Sequence, residues 1–362
     1  MCWLAAILIL PYTFLLLFVF FRLRGIKPVD FVSEADIFIS VVVPCRNESG
    51  NISALLGDIA VQEYSPEKFE VIVVDDNSTD DTFDIASGFK GIFNLRVIKN
   101  PEKGKKTALR EGIICASGEL IVMTDGDCRA GSKWLNAIGS FYNAYRPDII
   151  IGPVKPSPEP GFAGRFRELE FLSLQGVTAG SAAAGMSTMC NGANMAVRRE
   201  AWLQHSANIR YDIASGDDIF MLQSLKKASN SPILWLESED ALVTASSPDS
   251  VISFLRQRKR WISKTGYYTD RFTILLAIIT FVTIMIQAGS LVGALIIPDL
   301  LITFVMVFII KSIPDFLLLE NTSRRYGRSP LMRWFIPSQL IYPFYVLAVI
   351  LLPVSRRKTG FF

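Results

Sequence analysis

Along the 362 residues, apolar positions gather at the two ends, while the middle alternates short apolar runs with polar and charged stretches. Residues 2–21 carry no charge, and Arg22, Arg24 and Lys27 follow them. About twenty predominantly apolar residues suffice to cross a bilayer as a helix. A cleavable signal peptide would place its charge before the apolar run and a small-residue cleavage site after it; here the order is reversed. The pattern predicts an uncleaved N-terminal transmembrane helix, residues 1–23, whose basic flank keeps the following domain in the cytoplasm. Pro11 is compatible with that helix, because proline is tolerated in membrane spans.

From residue 37 to 264 the period changes. Residues 38–43, 69–74, 95–98 and 120–123 read as strands, and 51–62, 79–88 and 103–116 as helices. Leu120 to Met123 is an unbroken apolar run closed by polar residues, the mark of a strand buried on both faces of a parallel sheet. The strand–helix–strand rhythm predicts βαβ units on such a sheet, in a segment long enough to bury its own core. Residues 161–185 differ. Phe162, Phe166 and Leu169 alternate with Arg165, Arg167, Glu168 and Glu170, which suits either an amphipathic helix in the membrane interface or a packed core helix. Residues 179–185 predict no regular element.

Beyond residue 264, segments 272–297, 300–319 and 335–353 are apolar enough for membrane helices and form a C-terminal membrane region, 272–353. The second contains Lys311 and Asp315, four apart on one helix face and so able to pair. Charges inside a membrane face a bundle interior or a functional path. The third is interrupted by Pro337 and Pro343. If all three span, Arg356, Arg357 and Lys358 fall on the outer side, against the positive-inside rule; the alternative is that the third segment is re-entrant or interfacial.

Composition narrows the classes. The net charge is only +3, which gives no case for nucleic acid. Basic residues cluster instead at 256–260, 324–333 and 356–358, beside apolar segments, which favours an anionic membrane surface or phosphate ligands. The five cysteines include no Cys-x-x-Cys pair, which argues against a disulfide framework and structural zinc and fits a reducing, cytosol-facing domain. His205 is the single histidine, so His-rich metal sites are excluded, and its simplest reading is an ordinary surface residue rather than a triad member.

Several polar stretches sit where chemistry is expected. Asp125, Gly126 and Asp127 follow the strand at 120–123, at the sheet edge where open α/β folds bind ligands. Neighbouring carboxylates repel unless a cation lies between them. Mg²⁺ or Mn²⁺ already holding phosphate oxygens suits that role; an ordinary Asp-Gly turn is the alternative. Asp75 and Asp76 close another strand and could accept hydrogen bonds from ribose hydroxyls or a base N–H, or serve as helix caps. Lys103 to Lys106 opens a helix and suits a diphosphate, or is a solvated helix start; it lacks the P-loop pattern. Asp217 and Asp218, after Ser215 and Gly216, offer a general base or a negatively charged first helical turn. Gln257, Arg260 and Trp261 sit on a helix at the membrane boundary, where arginine binds phosphates or headgroups and tryptophan anchors.

The ordered set Val41-to-Glu48, Val73-to-Asp80, Lys103-to-Lys106, Asp125-Gly126-Asp127, Asn191-to-Met195, Gly216-Asp217-Asp218 and Gln257-x-x-Arg260-Trp261 resembles the family 2 glycosyltransferases. It is most similar to the membrane-bound branch containing cellulose, chitin and hyaluronan synthases and ceramide glucosyltransferases, over residues 37–264. The resemblance implies an α/β GT-A (Rossmann-like) cytosolic domain between one N-terminal and about three C-terminal membrane segments. It implies that Pro44, Glu48, Asp76 and Lys105 or Lys106 border the nucleotide and that Asp125 faces the nucleotide sugar. By the same resemblance Asp127 binds Mg²⁺ or Mn²⁺, Asp218 is the general base supported by Asp217, and Gln257, Arg260 and Trp261 line the acceptor and diphosphate end. The implied partners are a nucleotide sugar (a UDP-sugar first), a lipid-linked or growing glycan acceptor, and membrane lipids. The implied reaction is inverting transfer at the cytoplasmic face of an inner or plasma membrane, in cell-envelope polysaccharide or glycolipid synthesis. Two departures stand out: the acidic pair is Gly-Asp-Asp where many relatives have Glu-Asp, and fewer membrane segments follow than in the large polymer synthases. The other readings are a nucleotidyltransferase-like enzyme, which would release pyrophosphate, and a non-catalytic nucleotide-binding membrane scaffold.

Overall fold

The structure is a computed structural model, which describes residues 2–29, 35–213, 215–228 and 232–353. Arg356, Arg357 and Lys358 therefore lie outside the described residues. In chain order the elements are α1 (Cys2–Arg24), β1 (Ile39–Cys45), α2 (Ile52–Ala60), β2 (Phe69–Asp75), α3 (Thr82–Gly88), β3 (Asn94–Lys99), α4 (Lys105–Cys115), β4 (Leu120–Met123), β5 (Arg129–Ala130) and α5 (Trp134–Tyr145). There follow β6 (Ile149–Ile151), β7 (Val154–Pro156), α6 (Gly161–Ala183), β8 (Met195–Arg198), α7 (Arg199–His205), α8 (Asp217–Lys227), β9 (Ile233–Trp235), β10 (Val243–Ala245) and α9 (Val251–Ile262). Three long helices end the described chain: α10 (Arg271–Gly293), α11 (Leu300–Arg325) and α12 (Phe335–Leu351).

These elements form two compact units that interleave in sequence. One comprises residues 27–157 and 189–247, and the other residues 2–26, 158–188 and 248–353. The first is an α/β unit. Its seven-stranded sheet has the order β3-β2-β1-β4-β8-β6-β9. β1 pairs in parallel with β2 on one side and β4 on the other, and β2 with β3. Every residue of β1, β2 and β4 is buried, as expected of apolar runs that face helices on both sides. Gly112 lets α4 lie directly on this sheet, since a Cβ there would meet Val42 Cγ1 at 2.5 Å. β8 runs antiparallel to both β4 and β6, so the parallel sheet read from the sequence is extended into a mixed one. A second, three-stranded sheet has the order β5-β10-β7. Between β1 and β4 the winding direction reverses, and this is where open α/β sheets bind ligands, outside the carboxyl ends of the strands.

The second unit is helical. Among the described residues four helices are long and apolar enough to cross a membrane, one N-terminal and three C-terminal. α1 continues through Pro11 and α12 through Pro343, so these prolines do not interrupt the segments. Residues 179–183, for which the sequence predicted no regular element, complete α6. They do so because Gly176 and Gly180, one turn apart, allow close approach: a Cβ would stand 2.4 Å from Thr322 Oγ1 at the first and 2.4 Å from the Val19 carbonyl oxygen at the second. Small residues spaced by four are a packing device between helices. Lys311 and Asp315 pair at 2.5 Å as their spacing suggested. Gln339 joins both of them, and the Tyr12 hydroxyl donates to Asp315 at 2.5 Å.

Candidate active site

The carboxyl ends of β1, β2 and β4 bring their following loops together. β1 leads through Arg46 and Asn47, which adopts a left-handed φ of 57°, to Glu48. This loop is stitched to the one after β2: Glu48 N donates to Thr82 Oγ1 at 2.7 Å, Ser49 N to Asp80 Oδ2 at 3.2 Å, and Thr79 N to Asn47 Oδ1 at 2.8 Å. Burial opposes ionisation of Asp80, but the hydrogen bonds from Thr82 and Ser49 prevail and hold its carboxyl at about 2.

Asp76, one residue beyond β2, is fully buried. Its Oδ1 accepts from Asn100 Nδ2 at 2.6 Å and from the Gly104 amide at 2.8 Å. Among the described residues its Oδ2 has no hydrogen-bond partner, and Arg46 Nη1 lies 4.0 Å away. Asp75 Oδ1 and Asn100 Oδ1 are likewise buried without a donor among the described residues. Buried acceptors normally find donors, and three unmet acceptors at a ligand-binding edge fit the hydroxyls and N–H groups of a nucleoside. Asn100 was not singled out in the sequence, whereas Gly104 lay within the Lys103-to-Lys106 stretch read there as a diphosphate candidate. The signal was the register: β2 and β3 pair Asp75 with Lys99, which puts the next residues, Asp76 and Asn100, side by side. Gly104 has a φ of 128°, a conformation that glycine adopts readily, and this aims its amide at Asp76.

Asp125 and Asp127 follow β4. The glycine between them suits a crowded position, because a Cβ on Gly126 would stand 3.1 Å from both Cys45 Cβ and Glu48 Cγ. Burial, then Asp125 and Glu48, push the Asp127 carboxyl up to about 7. Burial also raises Glu48, against the hydrogen bond from Asn51. An acid held so far above its ordinary range by burial and other carboxylates is a position where a cation is favoured. Among the described residues no three His, Cys, Asp or Glu side chains form a protein-only cage. Asp127 alone would fit a cation only if other ligands, such as phosphate oxygens and water, completed its shell, the usual habit of Mg²⁺ beside substrate phosphates.

The two lysines at the start of α4 have separate fates. Lys105 pairs with Asp125. Burial disfavours its charge, but Asp125, Asp217 and Asp218 outweigh that and hold its pKa above the usual lysine value. A Cβ on Gly192 would stand 3.5 Å from Asp217 Oδ2 and 3.8 Å from Lys105 Nζ, so the Asn191-to-Met195 motif closes this side of the cluster. Lys106 is buried and donates to the carbonyls of Ile209 at 2.9 Å and Arg210 at 2.8 Å. Asp217 and Asp218 form the first turn of α8 after Gly216, whose φ is 93°. Asp218 Oδ1 accepts from the Ile219 amide at 2.7 Å. Pro44 lies within β1, its neighbour Val74 in β2.

Gln257, Arg260 and Trp261 lie on α9, in the helical unit. The residue between them that the motif spelling passes over, Arg258, is the buried one.

Comparison with known proteins places this geometry. Residues 40–205 match the Glycosyl transferase family 2 profile. The glycosyltransferase AglE of Haloferax volcanii is 33% identical over 140 residues, 38% of this chain and 46% of that protein. The poly(ribitol-phosphate) beta-N-acetylglucosaminyltransferase TarS of Staphylococcus aureus is 31% identical over 122 residues, 32% of this chain and 21% of TarS. The dodecaprenyl-phosphate galacturonate synthase of Rhizobium johnstonii is 32% identical over 118 residues, 32% of this chain and 35% of that enzyme. The chain thus spans less than half the length of these curated relatives. Among solved structures, the mannosyltransferase PcManGT from Pyrobaculum calidifontis, in complex with GDP-Man and Mn²⁺, shares the fold. Its TM-score is 0.55 at 19% identity, covering 97% of this chain and 98% of that one.

Proposed function

We propose that this chain, whose residues 40–205 form a glycosyl transferase family 2 domain on a GT-A-like fold, is a membrane-bound inverting glycosyltransferase. It moves a sugar from a nucleotide sugar to a lipid-linked or growing glycan acceptor at the cytoplasmic face. The observation that carries this reading is the cluster at the β1/β4 switch point, where Lys105 lies between Asp125 and the Asp217–Asp218 pair.

In this reading Asp76 receives the nucleoside through Oδ2, which accepts no hydrogen bond among the described residues, with Pro44 and Glu48 bordering the same edge. Asp127 holds Mg²⁺ or Mn²⁺, which when bound neutralises charge on the departing diphosphate. Lys105 keeps its positive charge beside Asp125 and faces the developing negative charge. Asp218 takes the proton from the acceptor hydroxyl as that oxygen bonds to the anomeric carbon. The bond from that carbon to the diphosphate breaks, and a single displacement inverts the centre. Asp217 supports Asp218, Lys106 holds the 209–210 segment under α8, and Gln257, Arg260 and Trp261 serve the acceptor and diphosphate end. The four apolar helices support membrane insertion, and Arg22, Arg24 and Lys27 after α1 support a cytoplasmic catalytic domain. The donor we favour is a UDP-sugar, carried over from the sequence resemblance.

The test is product analysis by mass spectrometry after membranes holding the protein are incubated with a panel of UDP-, GDP- and other nucleotide sugars. A glycosylated lipid or glycan with release of the nucleoside diphosphate is expected. Release of pyrophosphate, or binding without any product across the panel, would overturn the reading.

A further inference from the structure

The helical unit contains a buried ion pair that neither the acids of the α/β unit nor the lipid-facing surface explains. Arg258 on α9 and Glu170 on α6 are both within the interior, with side chains only 6% exposed each. The guanidinium grips the carboxylate with two contacts, Nε to Oε1 at 2.8 Å and Nη2 to Oε2 at 2.5 Å. The Tyr345 hydroxyl on α12 donates to Oε1 at 3.0 Å. What remains of Arg258 is turned on its own helix: Nη1 donates to Gln257 Oε1 at 2.6 Å, and the guanidinium carbon sits 4.0 Å from the Trp261 ring centroid. These two neighbours, Gln257 and Trp261, are members of the Gln-x-x-Arg-Trp motif; the guanidinium also lies 4.7 Å from the Phe254 ring centroid, outside the motif.

A buried ion pair is weak evidence for stability, because desolvating both charges offsets their attraction. Its better-attested value is in fixing one arrangement among several. Arginine suits this, since its planar fork grips a carboxylate and stacks on an aromatic face at the same time. Lysine lacks the planar fork, so it cannot grip the carboxylate bidentately while lying flat on a ring. We infer that Arg258 is a positioning residue, locked by Glu170 and Tyr345, which sets the Gln257 amide and the Trp261 ring in the orientation that the acceptor meets. This rests on the proposed role of Gln257 and Trp261 at the acceptor end. Arg258 itself touches no reacting atom.

The experiment measures steady-state transfer and acceptor-independent hydrolysis of the nucleotide sugar in full-length protein in membranes. The variants are Glu170→Gln, Arg258→Lys, Tyr345→Phe, Trp261→Ala and the Glu170→Gln/Trp261→Ala pair. Glu170→Gln and Arg258→Lys should raise the acceptor KM about tenfold while the nucleotide-sugar KM and the hydrolysis rate stay near wild type. Tyr345→Phe, which removes one hydrogen bond and keeps the ring, should shift the acceptor KM in the same direction by about twofold to fivefold. The double variant should lose less than the sum of the two single losses, since the part that Glu170 exerts through Trp261 is already gone while the part through Gln257 remains. Additive losses, or equal losses in acceptor transfer, nucleotide-sugar KM and hydrolysis, would overturn the positioning role. Trp261→Ala with unchanged kinetics would instead remove the motif's acceptor role, and the proposal with it. Tyr345→Phe keeps the proposal falsifiable if the charge variants fail to fold.

Discussion

Asp127 is the residue at which the chemistry can be read most directly by pH. Its carboxyl is pushed up to about 7, so a divalent cation must displace a proton from it in the acid range. Mn²⁺ affinity of the protein with nucleoside diphosphate should rise about tenfold for each pH unit between the acid range and pH 7 and level off above it. Titration calorimetry at several pH values measures this, and a flat profile would show that Asp127 is not the ligand. The sign for stability is the converse. A folded-state pKa above the unfolded value of 3.8 gives the metal-free protein stability that is present below about pH 4 and lost as pH rises through about 7. Asp127→Asn should remove that decline. Asp76→Asn tests the nucleoside edge. It should weaken nucleotide-sugar binding about 10- to 100-fold through loss of a charged acceptor, seen as a raised KM. Asp76, Asp125, Asp127 and Asp218 could be singled out as candidates because each follows a recognisable strand end or opens a helix. Asn100 and Arg258 were not, because the first is placed by strand register and the second by a partner 88 residues away.

Among the elements, those with long apolar runs or a clear period were legible: β1, β2, β4 and the four long helices fall where the pattern put them, with ends shifted by a few residues. β8 was not, because four residues carry too little pattern to reveal that they pair antiparallel to β4. The end of α6 was missed because Ala179 to Ala183 has no hydrophobic period; its order comes from close packing through Gly176 and Gly180. Gly180→Val should therefore destabilise the helical unit by about 1–3 kcal/mol through overpacking, read as a lowered unfolding midpoint in detergent. A Cβ on Gly289, in α10, would meet no atom within 4 Å, so Gly289→Ala is the matched control. It should leave the midpoint unchanged or slightly raised, as alanine favours a helix more than glycine.

For the whole molecule, three stretches far apart in sequence, residues 2–26, 158–188 and 248–353, make up one helical unit. Only contacts far apart in sequence show this, such as those that join Tyr12, Asp315 and Gln339. That cluster yields a test at the same scale. Lys311→Met should destabilise the unit by about 3–5 kcal/mol by leaving Asp315 buried without its cation, while Lys311→Met combined with Asp315→Leu should recover much of the loss. Chemical unfolding in detergent distinguishes the two, and equal loss in both would show that the pair is not an isolated charge balance.

The central claim is that the acids at the β1/β4 edge and in the first turn of α8 carry out metal-dependent sugar transfer. It is tested most directly by nucleoside diphosphate release from a nucleotide sugar in membranes holding wild-type protein, Asp127→Ala or Asp218→Asn, with and without Mn²⁺. The account predicts release by the wild type that requires the metal and falls about 100-fold or more in each variant. Undiminished release by both variants would contradict it.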